Sequence, residues 1–145
     1  MEYKIFKSSD TNVSKFVFET EDDSVYKPAI AEAVLYRYGS YKERTVICCS
    51  VQSGCPVGCT FCGTGKFFVR DLTCEEIVEQ VDTILENIDC SSDEIKKLQI
   101  MFMSMGEPFL NYFNLKFAIE ELGSKYPNAQ LLVSTSAPHI LWAVM

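Results

Sequence analysis

The stretch "RTVICCSVQSGCPVGCTFCGTG", Arg44 to Gly65, joins two kinds of chain end to end. Its first eight residues, "RTVICCSV", form a nearly continuous apolar run of strand length, the pattern of a strand covered on both faces. From Ser53 onward cysteines, glycines and Pro56 crowd together, and such a run packs poorly as helix or strand. The strand sets the fold and the loop sets the chemistry.

Downstream, Thr73 and Glu76 make a capping box that opens a helix. Its apolar face is Ile77, Val81, Ile84, Leu85 and Ile88, and it ends near Asp89. A polar connection, "CSSDE", leads to a second buried-type strand, "KLQIMFM", followed by "SMGEP". A second helix is expected from about Asn111 to Leu122, with Phe113, Phe117, Ala118 and Leu122 inward and Gly123 as its stop signal. The last strand is "AQLLVST".

Buried-type strands alternating with amphipathic helices indicate right-handed crossovers and a parallel sheet. The unusual residues all follow strand ends: the cysteines after "RTVICCSV", "SMGEP" after "KLQIMFM" and "STSAP" after "AQLLVST". Parallel α/β sheets and barrels build their sites on those carboxyl-end loops. Three strands and two helices are too few to close a barrel, and "HILWAVM" reads as an unfinished third helix, so the expectation is a portion of a longer protein. Upstream, "KFVFET" and "AEAVLYRY" read as strands separated by the polar turns "SSDTN" and "GSYKE". The predicted organisation is therefore an N-terminal β extension over 1–43 and a partial barrel core over 44–145, an α/β fold with a parallel βαβαβ centre.

A chain of 145 residues with 48% hydrophobic content makes one domain at most and can bury a real core. Charges at the start, "MEYKIFKSSD", and the shortness of the longest apolar run argue against a secretory leader or a membrane span, which gives a cytoplasmic expectation. Seven cysteines in a reducing compartment point to metal binding rather than disulfides. Thirteen basic against twenty acidic side chains give a net charge of -7, a poor match to a polyanionic partner. The acidic run "ETEDD" reads as a solvated turn.

Cys55, Cys59 and Cys62 follow a C-x-x-x-C-x-x-C spacing that lets one turning loop gather three sulfurs. Three thiols on a cubane leave one iron without a protein ligand, and an open iron is reactive. A structural zinc site wants four ligands, and neither a second knuckle nor a nearby histidine is present, His139 being distant in sequence. Unligated thiols are the third reading. The spacing favours the iron-sulfur cluster.

The segment "CPVGCTFC", with Phe61 before the last cysteine, resembles the signature of radical S-adenosylmethionine (SAM) enzymes, which hold a 4Fe-4S cluster on a partial or complete α/β barrel. The ordered set "CCSVQSGCPVGCTFCGTGKFFVRDLT", "MSMGEPFLN" and "VSTSAP" resembles, more narrowly, the RlmN/Cfr family of radical SAM methyltransferases that modify adenosine in RNA. The similarity runs from Glu32 to Pro138. It implies that the open iron chelates SAM and that an electron from the cluster yields a 5'-deoxyadenosyl radical, with flavodoxin or ferredoxin as the electron donor and rRNA or tRNA as the partner. Cys55, Cys59 and Cys62 match the cluster ligands, Gly106 and Glu107 the positions holding the amino end of SAM, and Ser134 a serine contacting it. Taken alone, these last three would read as a plain turn and an ordinary strand-end hydroxyl.

Glu32 aligns with the family glutamate proposed to manage a proton during methyl transfer, and Cys49 with a cysteine that helps release methylated RNA. Their bland readings are a solvent-facing strand carboxylate and a buried inert thiol. Cys48, Cys74 and Cys90 match no functional position. The pattern also breaks: the loop "GTGKFFVRDLT" is one residue shorter than usual, and Ala137 stands where the family has glycine. The methyl-carrying cysteine and the N-terminal RNA-holding domain implied by the resemblance fall outside the chain. Two other readings stay open, a radical SAM enzyme acting on a non-RNA substrate and a noncatalytic iron-sulfur module.

Overall fold

The computed structural model describes residues 1–19, 30–54, 68–104 and 106–135. Among the described residues, six strands form one mixed sheet. The strands β1 (Glu2–Lys7), β2 (Val13–Glu19), β3 (Ile30–Arg37) and β4 (Thr45–Cys49) pair antiparallel in sequence order. From β4 the sheet turns parallel, through β7 (Leu98–Phe102) to β8 (Ala129–Val133). Helix α1 (Cys74–Glu86) connects β4 to β7, and α2 (Tyr112–Lys125) connects β7 to β8. A mixed α/β architecture with a parallel portion is thus present, and the antiparallel strands continue the same sheet. A separate two-stranded ribbon, β5 (Gln52–Gly54) with β6 (Phe68–Asp71), branches off immediately after β4.

Why these segments fold so is visible in their burial. Every residue of β4 is buried, as a strand covered on both faces requires. In β2 and β3 burial alternates, and the register sets Phe16 against Ala33 and Phe18 against Ala31. Large against small fills that part of the core without overpacking. Ile47 pairs with Ile100, Cys49 with Phe102, and one cluster joins these to Ile77, Val81 and Ile84 of α1 and to Leu115, Ala118 and Leu122 of α2. Both helices therefore lie on one face of the sheet.

The capping box expected of Thr73 and Glu76 is present, with the Glu76 amide donating to Thr73 Oγ1 at 3.2 Å and the Thr73 amide to Glu76 Oε1 at 2.9 Å. The helix ends at Glu86, three residues earlier than read from sequence, while Leu85 and Ile88 still pack against the core. Two expectations for α2 are corrected. Phe113 and Phe117 are 69% and 54% exposed, because the stripe Leu115-Ala118-Leu122 takes the core side instead. Gly123 does not stop the helix, which runs on to Lys125 and closes where the Tyr126 amide donates to the Leu122 carbonyl. A glycine inside a helix costs only about 1 kcal/mol, which flanking turns can carry. Strand β1 and the β5/β6 ribbon had no reading in the sequence. Among the described residues, no helix is long and apolar enough to cross a membrane.

Candidate functional site

The loops after β4, β7 and β8 meet at the carboxyl end of the parallel strands, and a chain of polar contacts ties them together. Gln52 leads off β5 and is 1% exposed. Its Nε2 donates to Asp71 Oδ1 at 2.7 Å, and its Oε1 accepts from the Glu107 amide at 2.8 Å. Glu107 is itself 3% exposed and caps a short 3-10 turn, Pro108–Asn111, its Oε2 accepting from the Phe109 amide at 2.7 Å. Its other oxygen accepts from the Thr135 hydroxyl, beyond β8. Segments far apart in sequence thus converge on one residue, Gln52 on its backbone amide and Thr135 on its carboxylate.

Gly106 sits inside this convergence with φ +95°, a conformation that side chains rarely adopt. A Cβ there would lie 2.6 Å from Gln52 Cβ and 2.8 Å from its backbone nitrogen. The glycine is what allows the β7 loop to touch the stem of the cysteine segment. Ser134, next to Thr135, is exposed at the same end of the sheet.

Below these contacts, Asn111 fastens both stems of the cysteine segment. Its Nδ2 donates to the Val51 carbonyl at 2.7 Å and to the Leu72 carbonyl at 2.8 Å, while the Leu72 amide donates to the Val51 carbonyl at 3.1 Å. Gln80 of α1 grips Ser50 from the other side, accepting from its amide and donating to its carbonyl, each at 2.9 Å. These buried amides thus spend their hydrogen bonds on backbone groups of Ser50, Val51 and Leu72, beside the strand ends.

The sequence relatives bear on this end of the sheet. No family model matches the chain. The probable dual-specificity RNA methyltransferase RlmN of Dictyoglomus turgidum is 35% identical over 133 residues, 88% of this chain and 35% of that protein. The probable dual-specificity RNA methyltransferase RlmN of Thermotoga neapolitana is 39% identical over 127 residues, 86% of this chain and 32% of that protein. The protein of the same description from Heliobacterium modesticaldum is 44% identical over 93 residues, 62% of this chain and 24% of that protein. The chain belongs to the RlmN family. It spans 24–35% of the length of these curated relatives.

Of the positions carried over from the RlmN resemblance, Gly106, Glu107 and Ser134 fall together at the carboxyl end, whereas Glu32 and Cys49 do not join each other. Cys48 pairs with Val34, so Glu32, two residues from Val34, shares the face that carries Cys48, and Cys49 points the opposite way. Glu32 is half-buried and bridged by Lys15 Nζ at 3.1 Å. Cys49 is wholly enclosed in the core between sheet and helices, and burial, with neighbouring Cys48 adding to it, pushes its thiol far up. Cys55, Cys59 and Cys62, and His139 with them, lie outside the described residues. Among the described residues no group of three His, Cys, Asp or Glu side chains is placed to hold a metal ion.

Sequence reasoning missed Gln52, Asp71, Asn111 and Thr135. The signal was there for two of them: Gln52 is an amide at the end of an apolar run, and Asn111 closes the "SMGEPFLN" segment before a helix. Which groups they would reach could not be read, since Gln52 meets Asp71 and the Glu107 amide, and Asn111 the Val51 and Leu72 carbonyls, all across long sequence separations.

Proposed function

We propose that this chain carries the cofactor-binding part of a radical SAM core, the first three parallel strands of a TIM-like barrel, and that it acts in RlmN-type methylation of adenosine in rRNA or tRNA. In this reading Cys55, Cys59 and Cys62 hold a 4Fe-4S cluster, and Gly106, Glu107 and Ser134 receive SAM. When bound, the cluster supplies one electron to the sulfonium of SAM, with an external donor such as flavodoxin or ferredoxin replenishing it.

The donor chemistry of the described residues suits that ligand. A carboxylate, an exposed hydroxyl and a glycine that lets backbone come close answer the ammonium and carboxylate of an amino-acid group. Burial of Glu107 keeps water from competing for it. Glu32, held by Lys15 on the face opposite α1 and α2, is the proton-handling candidate, its side chain remaining a third exposed. The observation that carries the reading is the convergence of the three motif-bearing loops on Glu107, in a chain whose relatives are RNA methyltransferases by name.

A second reading has one observation behind it. The net charge of -7 favours a substrate other than RNA.

The test is anaerobic reconstitution of the full chain with iron and sulfide. Electron paramagnetic resonance should show a reduced 4Fe-4S signal that changes on adding SAM, and replacing any one of Cys55, Cys59 or Cys62 by alanine should abolish it. Zinc without iron in freshly isolated protein would overturn the cluster. SAM cleavage without RNA binding would select the second reading.

A further inference from the structure

Gln52 is an amide buried where apolar side chains would pack at less cost, and burying it is tolerated only because both of its ends are used. They are used on different elements: the donor end on Asp71, across the stem of the cysteine segment, and the acceptor end on the Glu107 amide, in the loop after β7. A Cβ on Gly106 would lie 2.6 Å from Gln52 Cβ, so only a glycine lets the two segments come this close. Asn111 fixes the base of the same stem through Val51 and Leu72.

Resting on the cofactor reading above, we infer that Gln52 is a positioning residue, coupling the stem of the cysteine segment to the Gly106–Glu107 turn so that the cluster side and the SAM side of the site are held at one spacing. An amide is the side chain this task selects. A carboxylate in its place could not donate to Asp71, an ammonium could not accept from the Glu107 amide, and a thioether of similar shape could not donate and would accept only weakly. A site of two halves must hold its reacting groups within a fraction of an ångström, and a link between the halves supplies that where neither loop can alone.

The experiment uses the full chain, loaded anaerobically with iron and sulfide, with SAM as the probe. Gln52→Met keeps the volume, removes the bond to Asp71 and leaves at most a weak sulfur acceptor for the Glu107 amide. It should retain wild-type iron content while the Kd for SAM rises about tenfold, and exchange of the Glu107 amide proton should accelerate. Asp71→Ala, at an exposed position, cuts only the far end of the link. It should fold as the parent does, raise the Kd about threefold and leave the Glu107 amide protected. Wild-type SAM affinity in both variants, or a loss in Gln52→Met that only tracks lost iron or a lowered melting temperature, would overturn the assignment. If Gln52→Met does not fold, Asp71→Ala decides alone. A parent chain that takes up iron but binds no SAM would sink the cofactor reading, and the positioning role with it. A parent that binds SAM alongside indifferent variants would sink the positioning role by itself.

Discussion

Helices α1 and α2, of 13 and 14 residues, cover the same face of the sheet but are anchored in different ways. The first has a full capping box, and its Glu76 also takes Arg70 at 2.7 Å and 2.8 Å. It buries Ile77, Val78, Gln80, Val81 and Ile84. The second has no side-chain cap at Asn111, buries Leu115, Ala118 and Leu122, and leaves two phenylalanines exposed. Asn111 stands where a capping residue would, yet its amide is directed to Val51 and Leu72. The start of α1 is thus built for the stability of its own helix, and the start of α2 for closing the site.

That contrast can be broken at several points. The largest effect should come from Ile84→Ala, which empties a wholly buried position under α1 and should cost about 3 kcal/mol in chemical denaturation. A loss below about 1 kcal/mol would mean that α1 is not the firmer helix. Gly106→Ala should cost about 2 kcal/mol, from the positive φ and the collision with Gln52, and should weaken SAM binding along with stability. Thr73→Ala removes the cap and should lower stability by about 1 kcal/mol in thermal melts, whereas Asn111→Ala should harm iron loading more than helicity measured by circular dichroism.

The ion pair of α1 gives a pH signature. Burial disfavours the charged Glu76, but the Arg70 guanidinium and the Thr73 amide outweigh it and hold the carboxyl below its ordinary value of 4.5. A depressed folded-state pKa contributes stability that is present above that ordinary value and is lost as pH falls through the lower one. Arg70→Met should therefore flatten the acid limb of the stability curve, and an unchanged limb would show that the pair contributes little. The smallest effect is expected from Phe117→Ala, within about 0.5 kcal/mol of the parent, since that ring is mostly in solvent already.

Much of the fold was legible because its signals are local. A continuous apolar run marked β4, a capping box marked α1, and strand-helix alternation marked the parallel part of the sheet. The phenylalanines of α2 misled because two stripes compete at helical spacing, Phe113 with Phe117 and Ala118 with Leu122. Only the sheet decides between them. The site was half legible: Gly106, Glu107 and Ser134 sit in short motifs, while Gln52 and Asn111 are polar residues whose partners are set by tertiary closure.

The β5/β6 stem carries one further consequence. With Leu72 bonded to Val51, and Asn111 holding both, the span that the intervening segment must bridge is fixed from outside it. A residue inserted or deleted between Cys62 and β6 would leave those anchoring points where they are, whereas one within the cysteine triplet would break its spacing. A single residue lost from the stem itself would flip its side chains to the wrong side of the ribbon, so changes of length should be borne between Cys62 and β6 and not in the stem.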